Sequence, residues 1–437
     1  MLEKISLCQR LNTSSLKSFS IRNLFGSKNV NISFEKETLI LIAENGSGKT
    51  TILNILYYLL SGKFSKLRTI DFESVKLEFM TGESIEVNKD ELSSISLGKY
   101  DVRISSSSLL DLSKIVLHSL RQTNIDNKNT LDVIALPENN DNFLKDKIRL
   151  IDNNLLEKIM YFPTYRRIEE DLKNLDYKGV NIDIDDIENN DERLIQFGMD
   201  DVVSKFDKFT LDMRDSIVHS FSKLSGEILT QLVEGITNTS EMKETIQPDL
   251  LKIVLGRVGD QNISREEKEK IESLVATGKI NSGEYDQLIY FLSKLISVYE
   301  QQKDKDESIK KFAKICNTYL KNKKVVYDET TINICIVDTK NNKPIDLVNL
   351  SSGEKQIISI FSKIYLDDSS NNNFIVLFDE PELSLSIEWQ KMLLPDIIDS
   401  GKCKFLLAVT HSPFIFDNDL DLNAYDLDTF VTEGSQD

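Results

Sequence analysis

Apolar and polar positions divide the chain into stretches of different character. Residues 17–24 (KSFSIRNL) and 29–34 (NVNISF) alternate with a period of two, the pattern of half-buried strands. LILIA (39–43) is a continuous apolar run and predicts a buried strand. A glycine-rich loop follows it, then a helix from Thr50 to Leu60 that Gly62 closes. VKLEFM (75–80), a turn at Thr81 and Gly82, and SIEVNK (84–89) predict a hairpin.

Beyond residue 200 the period lengthens to three and four. Residues 201–236, 285–302 and 308–320 each predict an amphipathic helix. No heptad pattern is sustained and no repeat is seen, so a short helical insertion is expected rather than a coiled-coil arm. The acidic run NIDIDDIENNDER (181–193) reads as a solvated loop. Strand character returns at 324–339, and FIVLF (374–378) and KFLLAVT (404–410) predict two more buried strands. The expected fold class is α/β, a mixed sheet with flanking helices interrupted by a mostly helical insertion. Its parts are an N-terminal half at 1–95, the insertion at 96–323, and a C-terminal half at 324–437.

Composition narrows the classes. Hydrophobic residues are 40% and charged residues 28%, as in soluble globular chains. The longest apolar run, TILNILYYLL, is too short to span a bilayer, and the N-terminal residues lack a signal-peptide pattern. Four scattered cysteines without a C-x-x-C suit a reducing compartment, so a cytoplasmic location without structural zinc is expected. The net charge of -18 opposes DNA binding and favours a protein partner. KFSKLR (63–68) and KNKK (321–324) are short basic runs that solvated faces also explain.

Two motifs carry chemistry, the second in the company of the first. ENGSGKTT, from Glu44 through Asn45, Gly46, Ser47, Gly48, Lys49 and Thr50 to Thr51, follows a strand and opens a helix. This is the setting of a phosphate-binding loop, whose backbone N–H groups cradle phosphates. Lys49 would neutralise β- and γ-phosphates, and Thr50 would offer a hydroxyl to Mg²⁺. Ala43 stands where the pattern has its first glycine, a change tolerable where φ is negative. The second motif, FIVLFDEPELSLSIEWQ (374–390), delivers Asp379 and Glu380 at the end of a strand. Asp379 would hold Mg²⁺ and Glu380 would activate water.

LSSGEKQ (350–356), with Ser351, Ser352, Gly353 and Glu354, is similar to the signature motif of ABC-type ATPases. That motif opens a helix facing the γ-phosphate of ATP held by another subunit, which implies a homo-oligomer, a dimer of heads at least. The resemblance makes His411, in VTHSPF (409–414), the switch histidine at the γ-phosphate. It also leaves gaps. Ser386 stands where aspartate is common, and only Gln196 is at hand for the Mg²⁺-sensing glutamine. Arg166 and Arg167 would reach a phosphate or an interface, or pair locally with Glu169 or Glu170. His118 and His219 have no such company and are assigned no chemistry.

The split head resembles SMC- and OLD-type ATPases. The motif set is most similar to ATPases of bacterial anti-phage systems, the PARIS ATPase subunits first and the Septu ATPases next. This implies an ATP- and Mg²⁺-dependent scaffold that holds a separate nuclease effector, TOPRIM-type, and answers a phage-encoded trigger protein. Only 26 residues follow His411, too few for a nuclease domain there, so effector chemistry is expected from the partner. Two other readings stay open: an SMC-like DNA-repair ATPase that binds DNA directly, and a scaffold that holds ATP without hydrolysing it.

Overall fold

The computed structural model describes residues 7–44, 46–93, 142–164, 199–234, 240–260, 262–367 and 373–433. The chain divides into two compact units, one of Met1–Arg166 with Ser369–Asp437 and one of Arg167–Asp368.

The first unit holds two five-stranded sheets. One is antiparallel, in the order β12-β2-β1-β4-β5. It comprises β1 (Leu16–Leu24), β2 (Lys28–Ser33), β4 (Ser74–Phe79), β5 (Ser84–Asn88) and β12 (Val431–Glu433). The other is parallel, in the order β11-β3-β10-β9-β6. Its strands are β3 (Thr38–Ile42), β6 (Lys158–Phe162), β9 (Phe374–Asp379), β10 (Cys403–Thr410) and β11 (Ala424–Asp426). Every residue of β9 is buried, as are seven of the eight in β10, as expected for strands covered on both faces. Helix α1 (Lys49–Leu60) lays Ile52, Leu53, Leu56 and Leu59 on this sheet and contacts β6, β9 and β10. Helix α2 (Asn142–Asn154) leads into β6, and α8 (Ile387–Ile398) packs on β10. The parallel order places the carboxyl ends of β3, β6, β9 and β10 at one edge, where α/β sheets bind ligands.

The second unit is mostly helical. Helix α3 (Asp200–Glu234) has 35 residues and α6 (Asp286–Tyr319) has 34. Between them lie α4 (Pro248–Arg257) and α5 (Arg265–Ala276), the latter started by a Ser264–Glu267 capping box. Leu251, Val254, Leu255, Ile289, Leu292 and Ile296 form their common core. The hairpin of β7 (Lys323–Asp328) and β8 (Asn333–Asp338) packs on α6 through β7. Helix α7 (Ser352–Tyr365) is buried from Gly353 to Tyr365 and contacts α3 and α6.

The α/β class with a helical insertion holds. Two details differ from the pattern reading. The helices expected at 285–302 and 308–320 are one continuous α6, because the intervening KDKDE has no glycine or proline to stop it and Asp306 turns inward. KIMYF, unassigned by the pattern, forms the edge strand β6. Among the described residues no helix is long and apolar enough to cross a membrane.

Candidate nucleotide site

The loop between β3 and α1 turns on two glycines, Gly46 at φ +84° and Gly48 at φ +97°. That left-handed backbone is open to glycine and strained for other residues. Ala43 is not among the residues with positive φ, so its methyl is accommodated at the strand end. Gly48 caps α1 with no side-chain hydrogen bond. The first N–H groups of the helix therefore face outward, with the positive end of its dipole, as an anion site requires. Glu44 accepts from the Ser47 N–H at 3.3 Å, closing the loop; Asn45 lies outside the described residues.

Lys49 reaches back over this loop. Its ammonium donates to the Ala43 carbonyl at 2.8 Å and lies against the His411 ring. Burial lowers the Lys49 pKa, while Glu380, Asp379 and Glu382 pull it up; the net direction is down. Thr50 donates to Asp379, with its hydroxyl 3.1 and 3.0 Å from the two carboxylate oxygens. Asp379 ends β9 and is 1% exposed. The residues present fit Mg²⁺. A carboxylate beside a hydroxyl is an all-oxygen donor set, and Mg²⁺ is usually held by one or two carboxylates together with substrate phosphates.

Glu380 follows in a left-handed conformation, φ +50°, which costs a non-glycine residue about 1–2 kcal/mol. Its N–H is held by the Val409 carbonyl at 2.9 Å, and its carboxylate lies 3.8 Å from His411 Nε2. Lys49, Thr50, Asp379, Glu380 and His411 are thus gathered at the carboxyl ends of β3, β9 and β10. Thr51 lies one residue further along α1.

The residues of LSSGE lie in the second unit. Ser351 caps α7 in a capping box with Glu354, while Ser352 and Gly353 form its first turn. The Glu354 carboxylate turns back to the Ser351 N–H at 2.8 Å and to Lys323 Nζ at 2.7 Å. Burial raises the Glu354 pKa, but Lys323 and the Ser351 bonds outweigh it and hold the carboxyl below its usual range. Ser386 caps α8 with no side-chain bond. Arg166, Arg167, Glu169, Glu170, Gln196 and His118 lie outside the described residues, and His219 falls within α3.

Several residues here were not singled out from the sequence. Thr164, just past β6, donates to Asp379 at 2.6 Å. Glu382 accepts from the Thr410 hydroxyl and from the N–H groups of His411 and Ser412. Phe25 is 51% exposed, and its ring edge lies 3.7 Å from where a Gly48 side chain would begin. The second carboxylate of DEPE was a visible signal for Glu382; Thr164 and Phe25 carried none.

Residues 15–416 match the AAA_15 family, described as an AAA ATPase domain. The Retron Vc95 probable ATPase of Vibrio cholerae serotype O1 biovar El Tor is 28% identical over 195 residues, 42% of this chain and 34% of that relative. The match thus spans little more than a third of the relative's length. Among solved structures, the Smc head domain with an extended coiled coil bound to the C-terminal domain of ScpA, derived from Pyrococcus furiosus, is 14% identical, with a TM-score of 0.37 and 97% of each chain covered. The SmcHead bound to the C-winged helix domain of ScpA is 12% identical, with a TM-score of 0.34 and 97% and 98% covered. Both are distant likenesses. The family match runs from the edge of β1 to beyond His411 and takes in Lys49, Asp379 and Glu380, so the chain belongs to the AAA_15 family of AAA ATPase domains.

Proposed function

We propose that this ATPase binds and hydrolyses Mg²⁺–ATP at the Lys49–Asp379–Glu380–His411 cluster and acts as the regulatory scaffold of a two-component anti-phage system of PARIS type. The observation that carries the ATPase part is the convergence of these side chains on one sheet edge from distant points of the chain. The defence part rests on the motif resemblance, and the partial similarity to a retron ATPase supports it.

The chemistry follows from the groups present. Lys49 would exchange its contacts with Ala43 and His411 for phosphate oxygens, with the N–H groups of residues 46–51 around them. Thr50 and Asp379 would hold Mg²⁺, which spreads phosphate charge when bound. Glu380 would accept a proton from the attacking water, and His411 would bond the γ-phosphate. Ser351, Ser352, Gly353 and Glu354 of a second copy would complete the site, so oligomerisation belongs to the reading. Residues 96–323 would carry the contacts to other copies and to a separate nuclease, which a phage protein would release.

A tagged Glu380→Gln chain, expressed with its genomic neighbours, tests both parts. Phosphate release should fall about 10²- to 10⁴-fold with ATP still bound. Near-wild-type turnover rejects Glu380 as the base. A stoichiometric nuclease-like protein should co-purify, and recovery of nucleic acid alone rejects the scaffold in favour of a DNA-binding ATPase.

A further inference from the structure

Glu382 makes more hydrogen bonds than any role read from its motif requires. Oε2 accepts from the Thr410 hydroxyl at 2.8 Å. Oε1 accepts from the His411 N–H at 2.9 Å and the Ser412 N–H at 3.2 Å. Gln390 reinforces the joint. It accepts from the Ser412 hydroxyl at 2.7 Å and donates to the carbonyls of Leu385 at 3.0 Å and Glu382 at 3.4 Å. The turn at the end of β9 and the loop at the end of β10 are therefore stapled together by side chains.

Backbone geometry explains how one turn presents two carboxylates to one loop. Glu380 and Ser384, at φ +50° and +64°, both adopt left-handed conformations and bracket Glu382. The turn closes with Leu383 N–H to Glu380 O and Leu385 N–H to Glu382 O. Glu380 then faces the His411 ring at 3.8 Å, while Glu382 holds the main chain behind it.

We propose that Glu382 is the positioning residue of the histidine loop, fixing His411 between Lys49 and Glu380 before nucleotide arrives. The inference rests on the ATPase reading of this site. A carboxylate suits the joint, because Oε1 accepts from two main-chain N–H groups while Oε2 accepts from a hydroxyl. Glutamine of the same shape could keep both N–H bonds through its carbonyl and donate its amide N–H to the Thr410 hydroxyl, so the joint is broken by removing the polar end of the side chain.

A double-mutant cycle in the full chain tests this, with multiple-turnover phosphate release and fluorescent-ATP binding as readouts. Glu382→Ala should lower kcat about 10²-fold, the effect of a small misplacement of a reacting group, with nucleotide affinity unchanged. In a His411→Ala background the same change should cost nothing further, because both remove one function. Thr410→Val, which deletes one hydroxyl that donates to Glu382 and accepts from the Ser412 N–H, should give a smaller loss that is likewise silent without His411, and it serves if Glu382→Ala does not fold. An undiminished effect of either change in the His411→Ala background overturns the proposal. A wild-type chain without turnover fails the ATPase reading itself and takes the inference with it. If wild type turns over and His411→Ala does so equally well, the inference falls and the ATPase reading stands.

Discussion

Thr164 donates its hydroxyl to Asp379 across 2.6 Å, joining the ends of two neighbouring parallel strands, β6 and β9. Thr50 approaches the same carboxylate from α1 at 3.0 Å. Two hydroxyls thus orient one carboxylate, and each keeps oxygen lone pairs for a cation or its water. Groups that orient a metal ligand typically carry 10- to 100-fold in metal affinity. Thr164→Val should therefore weaken Mn²⁺ binding to the ADP-bound chain about tenfold, read by electron paramagnetic resonance. Nucleotide affinity in chelator should stay as in wild type, and Thr164→Ser should restore Mn²⁺ binding. Wild-type Mn²⁺ affinity in Thr164→Val would remove Thr164 from the metal's surroundings.

What the sequence made legible depended on distance along the chain. ENGSGKT runs from the loop after β3 into the first turn of α1, and strand, loop and helix each have a local signature, so their junction is where the pattern puts it. Asp379 ends a fully buried strand for the same reason. The partners of those residues are another matter. Thr164 and Asp379 are 215 positions apart and Glu382 and His411 are 29, pairings that only the sheet order creates. A five-residue strand such as KIMYF is too short for periodicity to separate from a helix fragment, so β6 and the threonine it delivers passed unseen. A carboxylate at position 354 would repel a phosphate unless it were turned aside. Lys323, 31 positions before it, turns the Glu354 carboxylate back onto the helix start.

That Lys323–Glu354 pair sets a pH dependence. The folded Glu354 carboxyl lies below its usual range despite burial, because Lys323 and Ser351 favour the charged form. A depressed carboxyl contributes stability that is complete above the unfolded pKa, about 4.3, and is lost as pH falls through the folded value. Glu354→Gln keeps a capping box but loses the charge-assisted bond, worth about 1–2 kcal/mol. Urea unfolding should show wild type ahead of Glu354→Gln by that margin at neutral pH, with the two converging below about pH 4. A gap that persists unchanged in acid would mean that the pair does not carry the difference.

Deeper in the second unit, Arg257 and Asp306 form an ion pair at 2.7 Å with side chains 3% and 0% exposed. Arg257 also donates to the Glu329 carbonyl at 2.8 Å and lies 4.7 Å over the Tyr299 ring, and the Tyr327 hydroxyl donates to Asp306. Burial and the bond to Asp306 raise the Tyr327 pKa, which keeps its phenol protonated. The group ties the end of α4 to the middle of α6 and to β7, so it holds the helices and the hairpin in one register. Breaking such a pair from one side strands a buried charge, whereas replacing both members by apolar groups removes the desolvation cost with the attraction. Asp306→Ala should accordingly destabilise the chain by about 3–5 kcal/mol. Arg257→Met with Asp306→Leu should recover most of that loss in the same unfolding measurement. If the double variant is as unstable as Asp306→Ala, the stability lies in the shape of the network and not in its charges.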